Sequence, residues 1–401
     1  MRLGFHYHVP AMEKEDSLFM PGYFGRFIDG LADQCKQFIC FMHSPLPEEI
    51  SILDYKIKSQ NVKLVNIGPH GSIPKRMLAA PHIIRQIKQY RNDLDAMLIR
   101  GPSPLLPAVA VACGNLPVAL LIVGDYLAGV DYLPQPRWRK EAIRAWSWWN
   151  TQGQLRAAKR SLTFVNSHVL YQQLNGKVPN LIETRTTTLT EKDFFLRENT
   201  CQNKPIRLLY TGRMARAKGI LDILEAVNWL VNQGEDIVFD LVGMIEKGDP
   251  VLDELSMKAR EYGISDRVKF HGYRPVGPEL FRFYEQSDIY VIASQSSFEG
   301  FPRTIWEAMA HCLPVIATNV GSIPDFLINN KEAVIIPSKD VRAMVDAISK
   351  LLNNSSFRRN IISNGYKLSL GNQINKRSQE MIQALQLWIS REDTHGNKKI
   401  L

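Results

Sequence analysis

Residues 206–219, Ile206-Arg207-Leu208-Leu209-Tyr210-Thr211-Gly212-Arg213-Met214-Ala215-Arg216-Ala217-Lys218-Gly219, decide the fold. An apolar run of strand length ends at a glycine turn, two spaced cations follow, and apolar residues at helical spacing take over from Gly219. A buried strand feeding a helix is the unit from which parallel sheets are built. The alternation continues downstream, with strands expected at 238–242, 268–270, 289–292, 315–317 and 333–336. Helices are expected at 219–233, 251–262, 277–286 and 303–311, with 341–352 and 379–390 closing the chain. Upstream, strands are expected at 2–7, 37–42, 62–67, 96–99, 118–123 and 162–165, with helical stretches such as 25–35, 83–91 and 105–113. This predicts an α/β chain of two doubly wound halves. The polar segment 198–205 (ENTCQNKP) ends in proline and reads as a linker. The expected domains are 1–200 and 206–375, followed by a helix and tail at 376–401, for which a return to the first domain is one open course. Two such halves imply a cleft, with ligands beyond the carboxyl ends of the strands.

Composition narrows the classes. The 401 residues are 45% hydrophobic and 22% charged, a globular balance. No apolar stretch approaches the roughly 20 residues of a membrane span, and Met1–Leu3 opens a strand-like run without the apolar core of a signal peptide. Five cysteines lack zinc-site spacing and read as reduced structural thiols of a cytoplasmic protein. His6 and His8 share a strand face, but a metal site needs at least three ligands and no third is evident, so no metal is expected. The net charge is +9, with most of the excess in residues 1–200. Charge alone leaves nucleic acid, an anionic membrane and a phosphorylated substrate open.

A second run carries chemistry: Glu299-Gly300-Phe301-Pro302-Arg303-Thr304-Ile305-Trp306-Glu307-Ala308-Met309-Ala310. Gly300 and Pro302 mark a turn, with Pro302 suited to a first helical position. Glu299 then lies outside a helix N-terminus and Glu307 about two turns inside it. The end of a helix attracts polyols and phosphates, and two acceptor-only carboxylates suit a ligand rich in hydroxyls. The plain alternative is a capped surface helix with two solvated acids. Arg213 and Lys218 suit a diphosphate, a bidentate fork beside a point charge. The glycines ending Leu241-Val242-Gly243 and Phe270-His271-Gly272-Tyr273 let a ligand approach the backbone.

Taken in order, YTGRMARAKG, LVG, FHGY, LFRFYEQSDIYVIAS and SSFEGFPRTIWEAMAHCLPVIATNVGSIPDFL resemble the family-4 (group 1) retaining glycosyltransferases of the GT-B fold, two Rossmann-like domains facing each other across a cleft. The likeness covers most of 206–340 and is looser over 1–200. It implies that Arg213 and Lys218 hold the diphosphate of a nucleotide-sugar donor, UDP- or GDP-linked, with no further cofactor. It implies Glu299 on the transferred sugar, Glu307 on the ribose, the backbone near Tyr273 against the base, and Gly212, Gly243, Gly300, Phe301 and Thr304 around the phosphates and sugar. It also implies retention without metal, by same-face attack in which the leaving phosphate oxygen takes the acceptor's proton. Arg213 and Lys218 would stabilise the charge that develops on the leaving group.

The family places the acceptor, a glycan or a polyprenyl-diphosphate-linked sugar, on the first domain. There Met20-Pro21-Gly22-Tyr23-Phe24-Gly25-Arg26 resembles the loop under the donor diphosphate, with Gly25 opening a helix; an ordinary strand–helix turn is the alternative. Asp125 follows a buried strand where relatives carry a polar residue facing the reaction centre; it either orients the acceptor or caps a turn. Arg100 ends another strand, facing the cleft or solvent. Residues 137–160 (RWRKEAIRAWSWWNTQGQLRAAKR) hold seven basic residues, one acid and Trp138, Trp146, Trp148 and Trp149. They read either as an interfacial helix on an anionic membrane or as a domain helix with core tryptophans. The function expected is a glycosyltransferase of surface polysaccharide assembly, cytoplasmic or peripheral on the membrane. A GT-B sugar-nucleotide 2-epimerase and a basic nucleic-acid-binding protein are the alternatives, and nucleic acid is not the expected partner.

Overall fold

The computed structural model describes residues 1–127, 130, 135–245, 249–296 and 300–396, with side chains as far as 391. They form two compact units, Met1–Thr186 with Ile374–Leu401, and Thr187–Gln373.

The strands of the first unit are β1 (Arg2–Pro10), β2 (Met12–Lys14), β3 (Ser17–Met20), β4 (Gln37–Ser44), β5 (Tyr55–Lys56), β6 (Val62–Pro69), β7 (Ala96–Gly101), β8 (Val118–Ile122), β9 (Leu162–Val165) and β10 (Leu181–Glu183). Seven of them make one sheet, in the order β10-β9-β8-β7-β1-β4-β6. Every pairing in it is parallel. The chain winds outward from β1 through β4 to β6, then crosses back to β7, so the strand order reverses at β1/β7. The apolar runs of β4 and β8 are buried along their length, as strands covered on both faces must be. Between β1 and the first helix, Gly22–Ala32, lies a hairpin, β2-β3, that β5 from beyond the helix joins in a small antiparallel sheet the sequence reading did not anticipate. Its hairpin turns at Glu15 and Asp16, both at positive φ, instead of at the glycine that usually marks such a turn.

The last helix, Ile374–Gly396, belongs to this unit. Ile374, Met381, Ile382 and Leu385 join Phe5, Phe27 and Leu31 in one core. Gly30 permits the contact, since a Cβ there would lie 2.9 Å from Ser378 Oγ.

The second unit repeats the plan with β11 (Ile206–Thr211), β12 (Ile237–Val242), β13 (Val268–Phe270), β14 (Ile289–Ile292), β15 (Val315–Thr318) and β16 (Val334–Ile336). The order is β13-β12-β11-β14-β15-β16, all parallel, with the reversal at β11/β14. Residues 198–205 are not a linker. The chain changes unit at Thr186–Thr187, and the polar segment is tied into the second unit. Cys201 N–H donates to Asp288 at 2.7 Å and Asn199 accepts from Arg358 Nε at 2.8 Å. Just before it, the Arg197 guanidinium donates to the carbonyls of Tyr284, Glu285 and Ser287. A sequence-level linker signal cannot register such long-range bonds.

Two glycines set how closely the strand ends of this unit approach. A Cβ on Gly243, at φ +152°, would fall 1.7 Å from the Gly212 carbonyl oxygen, and one on Gly219, at φ +65°, 2.0 Å from that of Ala293. Gly243→Ala is therefore expected to cost about 2 kcal/mol or more of unfolding free energy. Gly176→Ala, at positive φ in open space, should cost about 1 kcal/mol. Urea denaturation measures both, and equal losses would show that backbone crowding at Gly243 is not limiting.

Candidate functional site

The candidate site residues of the second unit lie at the carboxyl ends of β11, β12, β13 and β14, around the β11/β14 reversal of strand order where crevices form. Backbone pairing continues past the strands: Gly212 N–H donates to the Val242 carbonyl at 3.0 Å, Gly243 N–H to that of Gly272 at 2.9 Å, and Met214 N–H to that of Met244 at 2.8 Å. Gly212 and Gly243 are thereby brought together. The loop from Gly212 to Gly219 carries an exposed Arg213 and a half-buried Lys218. Its backbone is pinned by the Tyr210 hydroxyl, which donates to the Arg213 carbonyl at 2.8 Å. Arg216 is held aside in an ion pair with Glu254. The Tyr273 carbonyl accepts from its neighbour Arg274 at 2.8 Å.

Glu299 lies outside the described residues. A Cβ on Gly300 would meet nothing within 4 Å among the described residues, and the Phe301 ring stacks on Trp306 with centroids 4.4 Å apart. The helix runs Arg303–Ala310, so Pro302 precedes it instead of opening it, with extended backbone and a carbonyl that accepts from Ile305 N–H at 3.1 Å. Glu307 is 3% exposed, which rules out the solvated surface acid. Its Oε1 accepts from the Thr188 hydroxyl at 2.7 Å and its Oε2 from the Tyr284 hydroxyl at 2.8 Å. Proton counting orders the chain behind it. Tyr284 gives its one hydroxyl proton to Glu307, so Thr211, 2.6 Å away, donates to Tyr284. Tyr290 donates to Thr304 Oγ1 at 2.6 Å. Burial, then the charge of Glu307, raises the Tyr284 phenol well above its usual range, so it remains a donor.

Thr188, Thr211, Tyr284 and Tyr290 escaped the sequence reading. Thr188 and Glu307 are 119 positions apart, and the two tyrosines sit in an expected helix and an expected strand where nothing local marks their hydroxyls. The available signal was chemical, since a buried tyrosine hydroxyl needs a partner.

In the first unit, Gly25 lies within helix Gly22–Ala32 and does not open it; its N–H bonds the Pro21 carbonyl at 2.8 Å, and a Cβ would strike the Tyr55 ring at 2.4 Å. Its glycine is required by packing against that ring. The helix start is already met by a carboxylate, Asp54 Oδ1, 2.7 Å from Gly22 N. Asp125 accepts from Leu127 N–H at 2.9 Å, closing its own turn. Arg100 lies over the rings of Tyr7, Phe24 and Phe27, at 4.9, 5.6 and 5.6 Å. His6 and His8 are joined by His43 and His70. Burial pushes the His6 ring down to about 4 and the His43 ring to about 3.

The fold is GT-B: α/β, with parallel sheets in two domains. Residues 191–368, less than half of the chain, match the family described as Glycosyl transferases group 1. Among curated relatives, the amylovoran biosynthesis glycosyltransferase AmsK of Erwinia amylovora is 27% identical over 162 residues, 39% of each chain. The capsular polysaccharide biosynthesis glycosyltransferase CapM of Staphylococcus aureus is 28% identical over 181 residues, 43% of this chain and 46% of CapM. The alignments thus span less than half the length of these relatives. Anabaena HepE, solved in complex with UDP, superposes with a TM-score of 0.71 at 16% identity, covering 96% of this chain and 100% of HepE. The sucrose-phosphate synthase of Thermosynechococcus elongatus gives 0.71 at 18% identity, covering 98% and 100%.

Two outcomes follow from these geometries. Tyr284→Phe leaves the buried Glu307 carboxylate with one hydroxyl donor fewer and should lower stability by about 1–3 kcal/mol in urea titrations; no loss would show that Glu307 does not depend on it. His6 and His43 bind fewer protons folded than unfolded between their depressed values and about 6.5. Stability is therefore full above about pH 6.5 and falls with pH below it, by up to about 1.4 kcal/mol per pH unit for each ring. Unfolding free energies at pH 7, 6 and 5 test this, and a flat profile would overturn it.

Proposed function

We propose that the chain is a glycosyltransferase that moves a sugar from a nucleoside-diphosphate sugar to a glycan or lipid-linked acceptor in surface polysaccharide assembly. The carrying observation is the strand-end site of the second unit. Glycine-lined backbone, two cations and a buried carboxylate lie together within the segment matching the group 1 family. Arg213 and Lys218 take the diphosphate and stabilise it as the leaving group. Glu307 takes the ribose: each carboxylate oxygen accepts more than one hydrogen bond, so the hydroxyls of Thr188 and Tyr284 leave acceptor capacity unused. Glu299, on the family resemblance, takes the transferred sugar, and the reaction proceeds with retention and without metal. UDP is the first donor nucleotide to test, because HepE was solved with it. Supporting the polysaccharide role are the amylovoran and capsular relatives.

Contact with an anionic membrane surface is a second part of this reading. Trp138, Trp148 and Trp149 on helix Arg137–Ala158 are 74%, 57% and 57% exposed among its basic residues, so these three are not core. Trp146 alone packs inward, against Tyr126 at 5.5 Å. Exposed indoles beside cations suit a headgroup layer.

A ligand that binds the native state raises its melting temperature. UDP-sugars or GDP-sugars should do so with the wild-type chain, Glu307→Ala should lose most of the shift, and Arg213→Ala should lower turnover at least tenfold. Normal transfer by both variants would end the assignment. Sedimentation with phosphatidylglycerol vesicles should carry the protein down and weaken when Arg137, Arg139, Lys140 and Arg144 are neutralised; no binding, or binding unaffected by neutralisation, would remove the membrane contact.

A further inference from the structure

Beside helix Arg137–Ala158 the first unit carries a groove of about 810 Å3, within the roughly 300–1,000 Å3 typical of small-molecule sites. Its walls come from that helix, from helix Leu106–Cys113 and from Trp388 on the last helix. Gly153 lets the first two approach closely, since a Cβ there would lie 2.8 Å from Pro107 Cγ. Leu116 and Pro117 lead into β8 and Ser161 into β9, so the groove opens at the amino ends of these strands. Asp125 follows the carboxyl end of β8, at the other end of the sheet. The groove is thus separate from the strand ends at which doubly wound sheets take their substrates.

The lining has two characters. Pro107, Val111, Leu116, Pro117 and Trp149 give an apolar wall that stands open to water, with Val111 80% and Trp149 57% exposed. Arg156, Lys159 and Arg160 line the groove as well, all three exposed, and among the described residues no acid lines it. An open apolar wall marks a binding surface, and cations without a neighbouring acid call for an anion. A free phosphate answers the cations but leaves the wall in water, and a neutral lipid does the reverse. An amphiphile with a phosphate at one end satisfies both. The groove also continues the exposed face of its helix. Trp138, Trp149 and Arg156 are spaced by 11 and 7 residues, about three and two turns, and so share that face. Indoles and cations on one face suit a headgroup layer, which makes a membrane lipid the amphiphile at hand.

We propose that this groove holds a single anionic glycerophospholipid, its phosphate on Arg156, Lys159 and Arg160 and one acyl chain along Val111, Leu116 and Trp149. A lipid seated there fixes how helix Arg137–Ala158 is rotated on the bilayer, which exposed indoles alone leave free. The groove deepens the membrane reading and rests on it only for the source of the lipid.

Isothermal titration calorimetry of the full chain at pH 7 reads the groove without a bilayer when the probe is dihexanoylphosphatidylglycerol kept below its micelle-forming concentration. That lipid should bind at least tenfold more tightly than dihexanoylphosphatidylcholine or glycerol 3-phosphate. Val111→Asp should weaken it at least tenfold, and Arg156→Gln, Lys159→Gln and Arg160→Gln together should reduce it to the level of the choline lipid. No binding, equal binding of either comparison probe, or undiminished binding by either variant would each overturn the proposal. If circular dichroism shows a variant unfolded, the wild-type comparison of the three probes decides. Two other occupants would overturn it as well. Dimerisation that Val111→Asp abolishes would give the groove to a second copy, and lipid binding seen only after shortening the chain at Arg391 would give it to residues 392–401. Sedimentation with phosphatidylglycerol vesicles separates the two readings. Sedimentation without binding of the monomeric lipid removes the groove and leaves the membrane contact; the converse keeps the groove and removes the contact.

Discussion

A carboxylate enclosed in a protein core must be met by donors, and the Glu307 carboxylate organises much of the second unit for that reason. Its two hydroxyl partners come from distant parts of the chain, Thr188 at the start of the unit and Tyr284 on helix Pro278–Gln286. Tyr284 is in turn oriented by Thr211 at the end of β11, the strand end from which Arg213 follows. Tyr290, on β14, reaches Thr304 on the same helix as Glu307. The two strands that flank the reversal of the sheet are therefore tied by hydroxyls to the helix that carries the acid. Cation loop and carboxylate cannot move independently without leaving a buried polar group unpaired.

What the sequence shows of this arrangement follows the range of the interactions. Strand–helix alternation is local, and apolar runs such as 206–210 and 289–292 lie on β11 and β14 within a residue or so. Features that depend on distant partners were not legible. The polar segment 198–205 looks like a linker until Asp288 and Arg358 are placed beside it. Helix Ser355–Leu370 is capped locally, Asn354 accepting from Phe357 N–H at 2.9 Å, but Gly365 weakens its interior, and only tertiary structure shows Met309 lying against that bare glycine. Gly25 and Gly30 look alike as glycines in a helical stretch, and only tertiary structure shows that one meets a tyrosine ring and the other a second helix.

The same limit governs the histidines. Sequence spacing pairs His6 with His8, but parallel register is what sets His6 beside Phe41 and carries His43 and His70 to the neighbouring strand ends. The two units thus use one architecture for different chemistry. The strand ends of the second are lined by glycine backbone and hydroxyls, whereas those of the first present imidazoles. Doubly wound sheets permit this because the residues just past each strand are not needed to hold the layers together.

The placement of helix Ile374–Gly396 sets an order on synthesis. The second unit is one continuous stretch, Thr187–Gln373, while the first needs Ile374, Met381, Ile382 and Leu385 to close its core. Residues 1–186 leave the ribosome first, yet their apolar face around Phe27 and Leu31 stays uncovered until the second unit has emerged in full. The later segment can therefore complete its fold before the earlier one, which reverses the usual N-to-C order of domain folding. Until the final helix arrives, the nascent first unit is the part of the chain most exposed to aggregation.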